Sequence, residues 1–300
     1  MRHGLVLAII LWSPGGLSWG NIGHRTIAYI AEHYVSQSSK ALLRETIGDE
    51  EISDAALWPD TVSRDSAYSY SSPWHYINVR DSPPTTCGVN LTRDHDPLHG
   101  DIISAFVNHT NLLRSPGQDR LVRQQAMRFL LHWFGDLHQP LHIESLRRGG
   151  VDIPVMFDGI TSNLHSVWDF VIITKYRNQE HDDDERRIAR DWAQELWHKV
   201  VRDSEMECVD TRNPGRCALS WAAETNAWNC GVVFREGMNR APDYDLGGIY
   251  YEEVVPVIEH QILIAGMRLA AWLDELSVAY ALFALDYGEV GQQSLVTGRI

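Results

Sequence analysis

Two histidine–aspartate pairs dominate the chemistry this sequence could perform. His132 and Asp136 lie four residues apart in the segment FLLHWFGDLHQPLH, and His165 and Asp169 repeat that spacing in NLHSVWD. In a helix, residues four apart share a face, so each pair can present an imidazole nitrogen and a carboxylate to one divalent ion. Pro140 ends the first of these helices and turns His142 into a new direction. Upstream, Asp60 in LWPD, His75 in PWHYIN and His24 add three more donors. Singly, each has an ordinary reading: a histidine satisfied in a core or on a surface, or an aspartate capping a helix. Together they form a nitrogen and carboxylate set of the kind that Zn²⁺ takes without redox demands. His3, His33, His95, His99, His109, His138, His181, His198 and His260 lack such partners and are read as non-ligands, although His138 falls within the central motif.

Helical periodicity runs through the segments that must position these groups. Ile22, Thr26, Ile30 and Tyr34 mark one face of a first helix, and Leu121, Met127, Leu130, Leu131 and Phe134 mark a second. Ile188, Trp192, Leu196 and Val200 repeat every four residues, as do Ile258 and Ile262, and Leu269 with Leu273. Alternating strand patterns are scarce, so the expected fold is mainly α. No repeat or linker divides the chain, which predicts a single helical domain. The stretch from Ser63 to Gly100, rich in Ser, Pro, Asp and Tyr, reads as a long functional loop. The acidic run from His181 to Glu185 is expected to cap and solvate the helix that follows.

The first eighteen residues read as a secretory signal, with Arg2, an apolar run from Leu5 to Trp12, a break at Pro14, and small residues at Gly16 and Ser18. That run is too short to span a bilayer, so no membrane anchor is expected. Cleavage after Ser18 would make Trp19 the mature N-terminus. Four cysteines, Cys87, Cys208, Cys217 and Cys230, fit an oxidising compartment and allow three pairings. Sequons at Asn90 and Asn108 point to the same secreted setting. The formal charge of −14, −15 once Arg2 is removed, argues against a protein held to nucleic acid by a basic surface.

In order, the motifs WGxxGH at Trp19 to His24, WPD ending at Asp60, WHYIN from Trp74, HWFGDLHQPLH from His132 and NLHSVWD from Asn163 resemble the fungal and plant single-strand-specific nucleases. That family shares a helical fold and a three-zinc site with bacterial zinc phospholipases C. The resemblance covers Trp19 to Leu276 and implies a nuclease domain over 19–277, preceded by the signal at 1–18 and followed by a C-terminal extension at 278–300. It further implies one zinc held by Asp60, His75, His132 and Asp136, and a second by His142, His165 and Asp169. The third would take the α-amino nitrogen and carbonyl oxygen of Trp19, with His24 and a bridging Asp136. Signal cleavage then belongs to the chemistry, because a terminal amine, with a pKa of about 8, can bind metal once deprotonated, whereas a peptide nitrogen cannot.

The activity implied is hydrolysis of single-stranded DNA and RNA to 5′-phosphorylated products, with 3′-nucleotidase activity, by a secreted monomer needing no protein partner. Asp60, Asp136 and Arg64 are the expected catalytic residues. Tyr76 corresponds to the family's base-stacking aromatic and Asn78 to its base-edge hydrogen-bonding position, where aspartate is usual. Ser63 stands where the family carries a basic residue, so Arg64 is expected to take that role. Val151 follows Gly149 and Gly150 where the family has a polar asparagine. Cys87 and Cys230 match the family's long-range disulfide, leaving Cys208 with Cys217 as a local pair. A zinc phospholipase C is the rival reading; Asp169 as the last ligand, and Tyr76 in WHYIN, suit a nucleic-acid base better than a choline headgroup. A catalytically inactive zinc-binding homologue is the third reading.

Overall fold

The computed structural model describes residues 19–115, 117–180, 184–234 and 245–296, with side chains of the last helix as far as residue 281. The proposed signal at 1–18, together with His181, lies outside the described residues. Helices account for most of the chain, and the only sheet among the described residues is a two-stranded hairpin, β1 (Pro154–Phe157) with β2 (Ile160–Asn163).

The chain opens with α1 (Gly20–Tyr34), α2 (Gln37–Ile47), and the short helices α3 (Ile52–Ala55) and α4 (Trp58–Val62). The segment expected to be loop contains a 3₁₀ helix over Ser66–His75 and the single turn α5 (Leu91–Asp94). Next come α6 (Ile102–Arg114), started by an Asp101–Ser104 capping box, and α7 (Arg120–Asp136). Beyond the hairpin, α8 (Leu164–Ser166) widens into a π-helical turn over Val167–Val171 and continues as α9 (Ile172–Tyr176). α10 (Glu185–Leu196), α11 (Pro214–Trp228) and α12 (Ile249–Val296) complete the set.

α1 lies at the centre, packed against α10 and α12, because Ile22, Thr26 and Ile30 on one side and Ile27, Ala28 and Ala31 on others are all buried. A Cβ at Gly266 would stand 2.6 Å from Ile30 Cβ, so the close approach of α1 and α12 requires glycine there. α12 is long and apolar enough over Ile249–Ala281 to cross a membrane, yet Ile258, Ile262, Leu269 and Leu273 are buried in the protein core. It continues without interruption past residue 277, so the expected extension begins inside a helix.

Three residues depart from their expected apolar faces. Tyr34 and Leu121 are exposed near helix ends, and Val200 is 95% exposed because α10 stops at Leu196. Asp184 caps α10 through the backbone N–H groups of Arg186 and Arg187, as the acidic run suggested. The disulfides are Cys87–Cys230, with Cα atoms 5.9 Å apart, and Cys208–Cys217, at 5.2 Å.

Candidate metal centre

Six segments far apart in sequence deliver the expected donors to one buried region. His24 comes from α1, Asp60 from α4, and His75 from the last residue of the 3₁₀ helix. His132 and Asp136 come from the final turns of α7, and His142 from the 3₁₀ turn Pro140–Ile143. His165 sits in α8 and Asp169 in the π-helical turn, where an extra residue per turn changes the direction of the carboxylate. All eight are buried.

Three groups of ligand atoms each lie within 4.8 Å of one another: His24, His132 and Asp136; Asp60, His75 and His132; and His142, His165 and Asp169. In the first two, Asp136 Oδ1 is 3.4 Å from His24 Nε2, while its Oδ2 is 3.0 Å from His75 Nδ1 and 3.2 Å from His132 Nε2. Asp136 thus spans two groups through its two oxygens. Asp60 Oδ1 stands 3.7 Å from His75 Nδ1 and 3.5 Å from His132 Nε2. In the third group Asp169 is 3.1 Å from His165 Nε2 and 3.8 Å from His142 Nε2. The ring of His24 stacks on that of His132 at 3.9 Å, which brings His132 into two groups rather than one.

The imidazoles are aimed by the backbone. Nδ1 of His132 donates to Ala56 O, that of His142 to His75 O, and that of His165 to Gly149 O, at 2.8, 2.7 and 2.7 Å. Each bond occupies Nδ1 and turns Nε2 inward, the arrangement metal-binding histidines use. Gly149 can offer its carbonyl because it has φ +58°, and a Cβ there would meet Leu141 O at 2.5 Å.

Buried polar atoms in proteins nearly always have hydrogen-bond partners. Here both ring nitrogens of His24, Nε2 of His75 and His142, and Oδ1 of Asp136 have none. The electrostatics point the same way. Burial disfavours a charged His132, but Asp136 and Asp60 overcome it and push its pKa up to about 9. Burial likewise raises Asp136, and the opposing pull of His132 and His75 brings it well below the usual carboxylate range. Burial raises Asp60. A pocket that forces positive charge onto an imidazole, and leaves one oxygen of Asp136 without a donor, fits divalent cations.

Trp19 is fully buried; its indole N–H donates to Gly135 O and its carbonyl accepts from Gly23 N–H at the head of α1. Tyr76 and Asn78 are exposed on the extended segment that follows His75. Arg64 is exposed two residues beyond α4 and makes no ion pair among the described residues, while the Ser63 hydroxyl is turned back onto Asp60 O. Val151 is half-buried beside the glycine pair. Asn90 and Asn108 are both exposed, Asn90 serving as the N-cap of α5. His138 is no ligand: its Nδ1 donates to Phe134 O and its Nε2 faces the buried guanidinium of Arg268.

Sequence reasoning passed over three supports. Gln139 is fully buried and donates to Asp169 Oδ1, while its own carbonyl accepts the Leu141 N–H. Asn226 and Asn229, distant in sequence, donate to Ile143 O and Pro140 O and brace the turn that carries His142. Gly135 leaves room for His24, since a Cβ would stand 2.6 Å from His24 Cε1. The HxxxDxxQ spacing could have drawn attention to Gln139; nothing local distinguishes the asparagines.

The family model described as S1/P1 Nuclease matches residues 19–277. The chain is 38% identical over 267 residues to Nuclease S1 of Aspergillus oryzae, covering 85% of this chain and 91% of that protein. It is 34% identical over 268 residues to Nuclease P1 of Penicillium citrinum, covering 86% and 97%. Endonuclease 4 of Arabidopsis thaliana is 28% identical over 294 residues, covering 90% and 93%.

Proposed function

The chain belongs to the S1/P1 nuclease family, and from that premise we propose that it is a secreted zinc-dependent endonuclease, cutting single-stranded DNA and RNA to 5′-phosphorylated products and removing 3′-phosphates from nucleotides. The observation that supports this reading best is the convergence of eight buried His and Asp side chains into three donor groups with unpartnered atoms. Asp60, His75, His132 and Asp136 would hold one Zn²⁺, and His142, His165 and Asp169 a second. The third would be held by His24, the second oxygen of Asp136, and the Trp19 backbone freed by cleavage after residue 18. Zinc supplies Lewis acidity toward phosphoryl oxygens and lowers the pKa of water to about 7.

The chain's own residues set the rest. Asp60 and Asp136 are held deprotonated at the centre once cations are present. Tyr76 offers an exposed face on which an unpaired base can stack, and Asn78 an amide for its edge. Arg64, exposed four residues after Asp60 and without an ion pair among the described residues, would carry the charge that faces the phosphate. Oxidising surroundings are consistent with both disulfides, and Asn90 and Asn108 are accessible to glycans. The domain would run over 19–277 with 278–300 as an extension, acting as a monomer without a membrane anchor.

The test is a direct comparison of mature protein on single-stranded DNA, duplex DNA, RNA, a 3′-mononucleotide and phosphatidylcholine, with end analysis of the products. Preference for unpaired strands and 5′-phosphate ends is expected. Hydrolysis of phosphatidylcholine alone would move the chain to the phospholipase reading, and zinc-loaded protein inert on every substrate would make it a binding homologue.

A further inference from the structure

Beyond His75 burial alternates residue by residue across a γ-turn at Asn78, closed by Val79 N–H donating to Ile77 O: Ile77 and Val79 are buried, while Tyr76, Asn78 and Arg80 face outward. The backbone of this segment is held on both sides. Ile77 N–H donates to His142 O, Ser145 N–H to Val79 O, Ile102 N–H to Tyr76 O, and Arg80 N–H to Asp94 Oδ1. The outward row therefore starts at a donor of the metal centre and is anchored to another. Tyr76, Asn78 and Arg80 are exposed while Ile77 and Val79 between them are buried, so Tyr76 and Arg80 share the outward side of the segment.

Arg80 makes no ion pair among the described residues, although acids surround it. Those acids accept from other groups, although Asp81 Oδ1 and Glu144 Oε2 have no partner. Asp94 accepts from Arg93 and from the N–H of Asn90 as well as that of Arg80. Asp81 accepts from Gly88 N–H, and Glu144 from Ser145 and Leu146 N–H. In a chain of charge −14, a guanidinium left free by neighbours that could have neutralised it is poised for an external anion. Four residues of chain, turned at Asn78, set its backbone less than about 13 Å from that of Tyr76. Its position four residues beyond Tyr76 suits the backbone phosphate of a nucleotide adjoining the one whose base would stack there.

We propose that Arg80 is an outer subsite that grips a backbone phosphate of a single-stranded polynucleotide, so that affinity rises with strand length. The inference rests on the nuclease reading and deepens it. It is tested on the mature zinc-loaded protein by fluorescence anisotropy with 5′-labelled phosphorothioate oligothymidylates of two and eight nucleotides, as a function of salt, for wild type, Arg80→Ala and Arg80→Lys. For the longer strand Arg80→Ala should bind roughly three- to tenfold more weakly, with a smaller effect on the dinucleotide. Its plot of log affinity against log salt should be shallower by about 0.7, the slope of one phosphate contact on a single strand. Arg80→Lys, which keeps the charge, should restore the slope. Equal affinity and slope for Arg80→Ala and wild type, in a protein that cleaves single-stranded DNA, would overturn the subsite and leave the nuclease reading standing. Wild type that neither binds nor cleaves these strands would overturn both.

Discussion

Gly135→Ala tests how the centre is assembled without touching any ligand. The added methyl would stand 2.6 Å from His24 Cε1, 2.7 Å from Nδ1 and 3.3 Å from Ile27 Cδ1. Ordinary carbon contacts begin near 3.5 Å, so the imidazole must move by about 0.9 Å. It has nowhere easy to go, being fully buried and stacked on His132 at 3.9 Å. Overpacking of this kind costs about 1–3 kcal/mol of stability. A displacement of about 1 Å in a reacting constellation costs roughly a hundredfold in rate, or about 2.7 kcal/mol. The variant should therefore fold, melt at a lower temperature, retain less zinc after gel filtration, and cleave single-stranded DNA about a hundredfold more slowly. Zinc content, thermal unfolding and initial rates on a single-stranded oligonucleotide read these three effects. Full zinc with wild-type turnover would refute the argument that His24 is held against Gly135 by space alone.

Gln139→Ala removes the donor to Asp169 and the cap on Leu141; zinc affinity measured by chelator competition should fall by roughly ten- to a hundredfold. Tyr76→Ala should raise KM on single-stranded substrates by roughly ten- to a hundredfold with kcat little changed, the worth of one stacked base; an unmoved KM would remove the stacking role. Burial holds His109 down at about 4, so the unfolded chain binds the extra proton between that value and about 6.5. Its contribution is fully present above that window and is lost as pH falls through it, by about 2 kcal/mol between about pH 7.5 and pH 5. Chemical denaturation of zinc-depleted His109→Phe at the two pH values should show a difference smaller than wild type by that amount.

Much of the site was legible because metal chemistry leaves marks on spacing. Two His–Asp pairs four residues apart, and a proline that ends a helix before His142, singled out part of the donor set, and the family resemblance supplied Asp60, His75, His24 and the grouping. What spacing could not carry is how the donors are shared. His132 reaches into two groups because α1 lays His24 flat against it, and that contact spans 108 residues of sequence. The π-helical turn at Asp169 was invisible for a related reason, since a local periodicity reads the same whether or not one residue bulges. Asn226 and Asn229 were unreadable because they act on backbone carbonyls, which have no side-chain signature. Leu121 and Val200 were placed on apolar faces by periodicity alone, which cannot tell where a helix stops or runs clear of its neighbours.

The account depends above all on three zinc ions in a mature chain that begins at Trp19. Zinc stoichiometry, determined together with N-terminal sequencing and the rate on single-stranded DNA before and after chelation, tests it most directly. Three ions per chain, a Trp19 terminus, and activity abolished by chelation and restored by zinc are expected. Full-rate cleavage by protein stripped of zinc would contradict it.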